Sequence, residues 1–262
     1  MVERKSPLTL ELRELVHISE ERGVRYLHLG SRWIQGAMRI ARPWSLELEY
    51  TRAMMMVLLF RAQAAWPRSV LQIGLGAGSI TKFLYRNVPK AKLTVVEISP
   101  EVVTVAWQFF QLPDDPARLS IEIEDGYAFL ASTCRRFDLI LIDGFDAKGH
   151  AGMLDTVPFY GNCLARLGDS GMMAVNLLSR RKGAAASIER LGQVFGERVL
   201  ALPPCEAGNT IALAAAGARH HVSLNQLRAS ARALKTGTGL NLMPTVERLI
   251  LGCRPDGDEF IL

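Results

Sequence analysis

The chain has 262 residues, with 31 Lys and Arg against 26 Asp and Glu, a formal charge of +5 and a sequence pI of about 9.2. Hydrophobic residues make up 49 %, enough for one large core, or a core with a small appendage. The basic excess is scattered, and its densest point, Arg180, Arg181 and Lys182, has no aromatic interleaving to stack bases, so no nucleic-acid partner is expected. The longest apolar run, Ala53 to Phe60, is far short of the ~20 residues that span a bilayer. The N-terminal MVERKSPLTLELREL has no signal-peptide core, so no membrane partner is expected either. Cys134, Cys163, Cys205 and Cys253 lie far apart, with no His at ligand spacing. They read as reduced thiols in a cytoplasmic protein without a metal site.

In chain order, "LVHIS", "VRYLHL" and "WIQGAM" alternate apolar and polar residues around Gly23, predicting a small antiparallel meander. "LELEYTRAMMMVLLF" places Leu46, Tyr50, Met54 and Leu58 at helical spacing. "VLQIG", "KLTVVEI", "LSIEIED", "FDLILID" and "GMMAVNLL" read as five buried strands. "ITKFLYRNV", "SPEVVTVAWQFFQL" and "FYGNCLARL" read as helices, the second with Ser99 as N-cap and Pro100 at the first helical position. Near-continuous apolar strands separated by helices imply a parallel sheet covered on both faces. "RVLALPP" and "NTIALAAAG" read as an antiparallel hairpin closing one sheet edge. A helix follows from Ser223, with Gln226 completing a capping box, and another starts after Pro244. The expected architecture is α/β, with a small N-terminal β region over residues 1–45 and the main domain over 46–262.

Ligands of open parallel sheets bind beyond the carboxyl ends of the strands. The glycine turn Gly74, Gly76 and Gly78 follows the first strand, Glu97 ends the second, Asp125 the third, Asp143 the fourth (with Asp146 three residues on) and Asn176 the fifth. A glycine turn followed about 20 residues later by a strand-end acid suits a nucleoside, the acid accepting from two ribose hydroxyls. Asp125 is placed to accept from an exocyclic adenine amine, or simply to cap the next helix. In "LILIDGFDAKGHAG" two aspartates share a loop. One carboxylate can take a proton from an amine and the other can orient it; turn formation is the alternative reading. His150, on the same loop, reads as solvent-exposed.

From about Val16 to Ser179 the chain resembles the spermidine synthases, the polyamine aminopropyltransferases. "WIQGAM", "LELEYTRAM", "LQIGLGAGS", "VVEISPEVVTVA", "EDGYAFL", "LIDGFDA", "FYGNCLARL" and "GMMAVNL" carry the resemblance. It implies a methyltransferase-like Rossmann domain with an N-terminal β-meander, a homodimer, and aminopropyl transfer from decarboxylated S-adenosylmethionine to a small-molecule amine, without a metal. On this resemblance Glu97 is the ribose ligand, Asp125 the adenine ligand, Asp146 the base and Asp143 its partner in the donor and acceptor site. Gln35 faces the donor and Tyr50 the substrate. Three departures stand out: Ala77 where the family's glycine loop carries Asp, Thr51-Arg52 where it has His-Glu, and Gly144-Phe145-Asp146-Ala147 where its loop ends in Asp-Pro. Losing the aspartate at 77 would weaken rejection of intact S-adenosylmethionine. A methyltransferase using that intact donor, or a non-catalytic nucleoside- or polyamine-binding relative, are the alternatives.

Overall fold

The structure, a computed structural model, describes residues 16–30, 33–61, 66–146, 149–178, 183–253 and 257–262. The basic trio 180–182 and Ala147 lie outside the described residues.

A seven-stranded sheet in the order β6-β5-β4-β7-β8-β10-β9 organises the chain. Its members are β4 (Ser69–Ile73), β5 (Lys92–Glu97), β6 (Leu119–Ile123), β7 (Phe137–Ile142), β8 (Leu167–Leu178), β9 (Val199–Ala201) and β10 (Asn209–Ala215). β4 to β8 run parallel, β10 is antiparallel to β8, and β9 is antiparallel to β10. This is the methyltransferase-like arrangement with the expected edge hairpin. Strand order grows outward from β4 through β5 and β6, then reverses to β7 on the other side of β4. The reversal makes the crevice between the ends of β4 and β7 the place where a ligand fits.

Side-chain alternation along the strands feeds two cores, one per sheet face. Val70, Val95, Leu139, Leu141 and Met172 enter one, and Leu71, Ile73, Val96, Ile140, Ile142 and Met173 the other. The covering helices are α2 (Ser79–Asn87), α3 (Pro100–Phe110), α4 (Gly126–Ser132), α5 (Val157–Arg166), α6 (Gly183–Phe195), α7 (Leu224–Thr238) and α8 (Met243–Gly252). Ser99 caps α3 by accepting from the Val102 amide, and Ser223 forms the predicted capping box with Gln226.

β1 (Val16–Glu21), β2 (Val24–Leu29) and β3 (Ile34–Arg39) make the N-terminal meander, in a sheet of their own. It docks on the start of α2: Ser79 Oγ donates to Ala37 O at 3.0 Å, and Gly36 lies so close to Ala77 that a Cβ there would fall 2.5 Å from the alanine methyl. The meander thereby walls the crevice from above.

Four features depart from the sequence expectation. The long helix predicted from residue 46 is a short α1 (Glu49–Met54) tightening into a 3₁₀ turn, Met55–Leu59. Ala53 through Val57 are all at most 1 % exposed, so this segment is buried all round and has no polar face to extend an amphipathic helix. β8 starts earlier than "GMMAVNLL", at Leu167, the last residue of the segment that read as a helix. α4 was expected only through the alternative reading of Asp125 as its cap, and α6 was not anticipated. Nor was the small pair β11 (His221–Ser223) with β12 (Glu259–Ile261). Among the described residues no helix is long and apolar enough to cross a membrane.

One backbone contact fixes the crevice. Gly74 has φ +87°, and a Cβ there would sit 2.2 Å from Asp143 O. The Asp143 amide donates to Ile73 O at 2.9 Å. Gly74→Ala is therefore expected to force β4 and β7 apart at their ends and to lower the melting temperature by at least about 5 °C. Thermal denaturation checks this, and an unchanged melting temperature would contradict it.

Candidate active site

A cavity of about 670 Å³ opens at the carboxyl ends of β4, β5, β7 and β8, within the range of small-molecule sites. Gln35, Tyr50, Gly74, Gly76, Glu97, Asp125, Asp143 and Asp146 all line it. Gly78 does not: it adopts the left-handed N-cap of α2, where a Cβ would meet Leu112.

Glu97 ties the second strand to the glycine turn. Its Oε2 accepts from the Leu75 amide at 2.8 Å and its Oε1 from the Ser99 amide at 3.0 Å. Burial still outweighs these donors and those of Gly76 and Ile98, so the carboxyl is raised above its usual range. Asp125 lies just past β6 and caps α4, Oδ1 accepting from the Ala128 amide at 2.9 Å. Both readings of this residue are compatible with its position, since the capping residue also lines the cavity.

Asp143 sits at the topological switch. Its Oδ2 accepts from the Tyr50 hydroxyl at 3.1 Å and its Oδ1 from Asn176 Nδ2 at 2.8 Å. Burial raises its carboxyl and the neighbouring charge of Glu97 adds to the rise, while the two donors oppose it. Burial, with the Asp143 charge, also pushes the Tyr50 phenol well above its ordinary value, so it stays a donor. Asp146 is in a different setting. It is exposed at the cavity edge, where its carboxylate accepts from the His150 amide at 2.8 Å and faces His150 Nδ1 at 3.3 Å. The loop closes through Asp146 N to His150 O at 3.0 Å, and Gly149 rests against Trp33 and Leu178.

The lining carries six acids, Glu49, Glu97, Glu124, Asp125, Asp143 and Asp146, and among the described lining residues no Lys or Arg. Arg52 turns away, its guanidinium donating to Leu46 O and Glu47 O at 3.3 and 2.8 Å. Ala77 is buried under Gly36 and stands outside this lining. Sequence reasoning left Asn176 without a role and missed Asn209, Glu49 and Glu124. An Asn inside an apolar strand such as "MMAVNLL" was the available signal for the first, because buried amides need partners. Nothing local marked the others.

The family model described as "Spermine/spermidine synthase domain" matches residues 47–178. A polyamine aminopropyltransferase of Chromobacterium violaceum is 39 % identical over 237 residues, covering 89 % of this chain and 88 % of that protein. The chain belongs to the spermine/spermidine synthase family. Among solved structures, a probable spermidine synthase from Corynebacterium glutamicum superposes with a TM-score of 0.70 at 22 % identity, covering 85 % of this chain and 84 % of that one. Human methyltransferase-like protein 13, in complex with SAH, gives a TM-score of 0.65 at 23 % identity over 73 % of this chain and 93 % of that one. At these identities the superpositions speak for the fold: a methyltransferase-like Rossmann sheet in a member of the spermidine synthase family.

Gathering acids in one enclosed space has a measurable cost. A carboxyl whose folded value is raised binds protons more readily folded than unfolded. Its contribution to stability is therefore lost as pH climbs from the ordinary carboxylate range through the raised value. Asp143→Asn keeps partners for both ends of its side chain, with Asn176 donating to the amide oxygen and Tyr50 accepting from the amide nitrogen. In the ligand-free protein the variant is expected to melt higher than the wild type at pH 7, with the gap closing toward about pH 4. A variant that melts lower at pH 7 would contradict the raised carboxyl.

Proposed function

We propose that this protein transfers the aminopropyl group of decarboxylated S-adenosylmethionine to a small-molecule amine. The observation that carries this reading is the acid-rich lining without a described Lys or Arg. The decarboxylated donor presents a sulfonium and an ammonium, and an amine acceptor is itself a cation in water. The intact donor adds a carboxylate, which such a lining repels. Ala77 is the observation on the side of the methyltransferase alternative, and the acid-rich lining outweighs it.

Gly74 and Gly76 let backbone approach the donor, Glu97 accepts from the ribose hydroxyls, Asp125 accepts from the adenine amine, and Gln35 faces the donor chain. The acceptor amine sits between Asp143 and Asp146. Its lone pair attacks the methylene carbon attached to the sulfonium. The new C–N bond forms as the C–S bond breaks, the bonding pair returns to sulfur, and methylthioadenosine leaves. The proton that the acceptor's ammonium sheds to free that lone pair goes to a carboxylate. Sequence reasoning gave that task to Asp146. The environments favour exchanging the two roles: a carboxyl raised by burial is the stronger proton acceptor at Asp143, whereas Asp146, exposed and held by His150, suits orienting the ammonium. The sulfonium is already a good leaving group, so catalysis is mostly positioning plus proton removal.

The same reading includes a boundary near residue 45 between the small sheet and the main domain, a homodimer and a cytoplasmic location, each supported by family analogy.

Thermal-shift titration tests the donor. Decarboxylated S-adenosylmethionine should bind at least about tenfold more tightly than the intact form, as one close charge pair is worth a few kcal/mol at an effective dielectric of about 20. Equal affinity, or preference for the intact form, would sink the aminopropyl reading. In turnover with a diamine, Asp143→Asn is expected to lower kcat about 10²- to 10⁴-fold, whereas Asp146→Asn mainly raises the KM for the amine. Retained kcat in the Asp143 variant would return the base role to Asp146.

A further inference from the structure

Two amides stand behind Asp143, on neighbouring antiparallel strands. Asn176 lies on β8 opposite Ile211, and Asn209 opens β10 opposite Leu178. They are only 4 % and 7 % exposed. Asn209 Nδ2 donates to Asn176 Oδ1 at 2.9 Å, and Asn176 Nδ2 donates to Asp143 Oδ1 at 2.8 Å. A carboxamide has one accepting end and one donating end. Once Asn209 has claimed the oxygen of Asn176, the nitrogen must face Asp143. Turned over, Asn176 would press its oxygen against the carboxylate and leave the Asn209 donor opposite another donor. The polarity of the chain is thus set from β10, on the far side of β8 from Asp143.

We propose that Asn176 and Asn209 are positioning residues for the transfer step, a two-amide relay that fixes the rotation of the Asp143 carboxylate toward the acceptor amine. This rests on the reading of Asp143 as proton acceptor. Tyr50 grips Oδ2 from α1 and Asn176 grips Oδ1 from β8, so the carboxylate is clamped from both flanks and keeps a lone pair on each oxygen for the amine. The titratable groups that face Asp143 are Tyr50 from α1 and Glu97 at the end of β5; Asp146 and His150 belong to its own loop. Glu97 pushes the Asp143 carboxyl up, and the Asn176 donor pulls it down by favouring the ionised form. The relay therefore both aims the base and favours its ionised form.

The expected signature is a shift in proton affinity together with a loss of rate. Asn176→Leu, similar in size, removes the donor. It should lower kcat at least tenfold, leave the KM for the donor within about twofold, and move the acid limb of the kcat profile up by about one pH unit. Asn209→Asp keeps the shape but offers the Asn176 oxygen no donor. Asn176 then turns over toward the new carboxylate, and kcat falls in the same way. Carbon-13 NMR titration of the Asp143 carboxyl reads the relay without turnover: it should titrate higher in Asn176→Leu than in the wild type. A preserved melting shift with methylthioadenosine checks that the nucleoside half is intact. Should Asn176→Leu fail to fold, Asn209→Leu carries the same test, with a smaller shift in the same direction. An Asp143 titration unmoved in these variants overturns the relay. A wild type that transfers nothing from the decarboxylated donor to a diamine instead overturns the functional reading.

Discussion

Two neighbouring carboxyls raised by burial, Glu97 and Asp143, are the constraint on which this molecule turns. Two unit charges 4 Å apart interact by about 4 kcal/mol at an effective dielectric of 20; of the other acids in the wall, Glu124, Asp125 and Asp146 are exposed and Glu49 is paired with Arg248, so they add less. Burial lifts Glu97 and Asp143 above the ordinary carboxylate range, and Glu97 lifts Asp143 further. A bound cation relieves this, as does protonation. The two buried carboxyls thus carry a cost in stability that a cationic ligand removes on entering, as when function is favoured over maximal stability.

The fold supplies the rigidity that keeps the acids together. Each functional carboxylate stands at or just beyond a strand end of one sheet, so neighbouring strands set their spacing. The reversal of strand order between β4 and β7 opens the crevice. The side-chain-free Gly74 lets the Asp143 backbone pass at a distance no other residue permits. The meander docks through Gly36 on the start of α2 and encloses the remaining side, and that enclosure lowers the local dielectric and sharpens every charge effect inside.

Much of this was legible in the sequence because strand ends are local features. The apolar runs of β4, β5 and β7 place Gly74, Glu97 and Asp143 without knowledge of the tertiary structure, and Ser99-Pro100 marks its helix start unaided. What was not legible depends on contacts between distant segments. Residues 53–57 read as part of one long helix until their burial on every side is known. Whether Arg52 points into the site depends on the carbonyls of Leu46 and Glu47 that hold it. Asp143 and Asp146 look equivalent on a shared loop, yet burial separates them. Asn209 acquires meaning only through its cross-strand partner Asn176, 33 residues away.

The most direct test is a crystal structure of the protein with methylthioadenosine and a diamine bound together. The account predicts the ribose hydroxyls on Glu97 and the nearer ammonium between Asp143 and Asp146, in line with the sulfur. A nucleoside bound away from Glu97, or an amine that contacts neither aspartate, would contradict it.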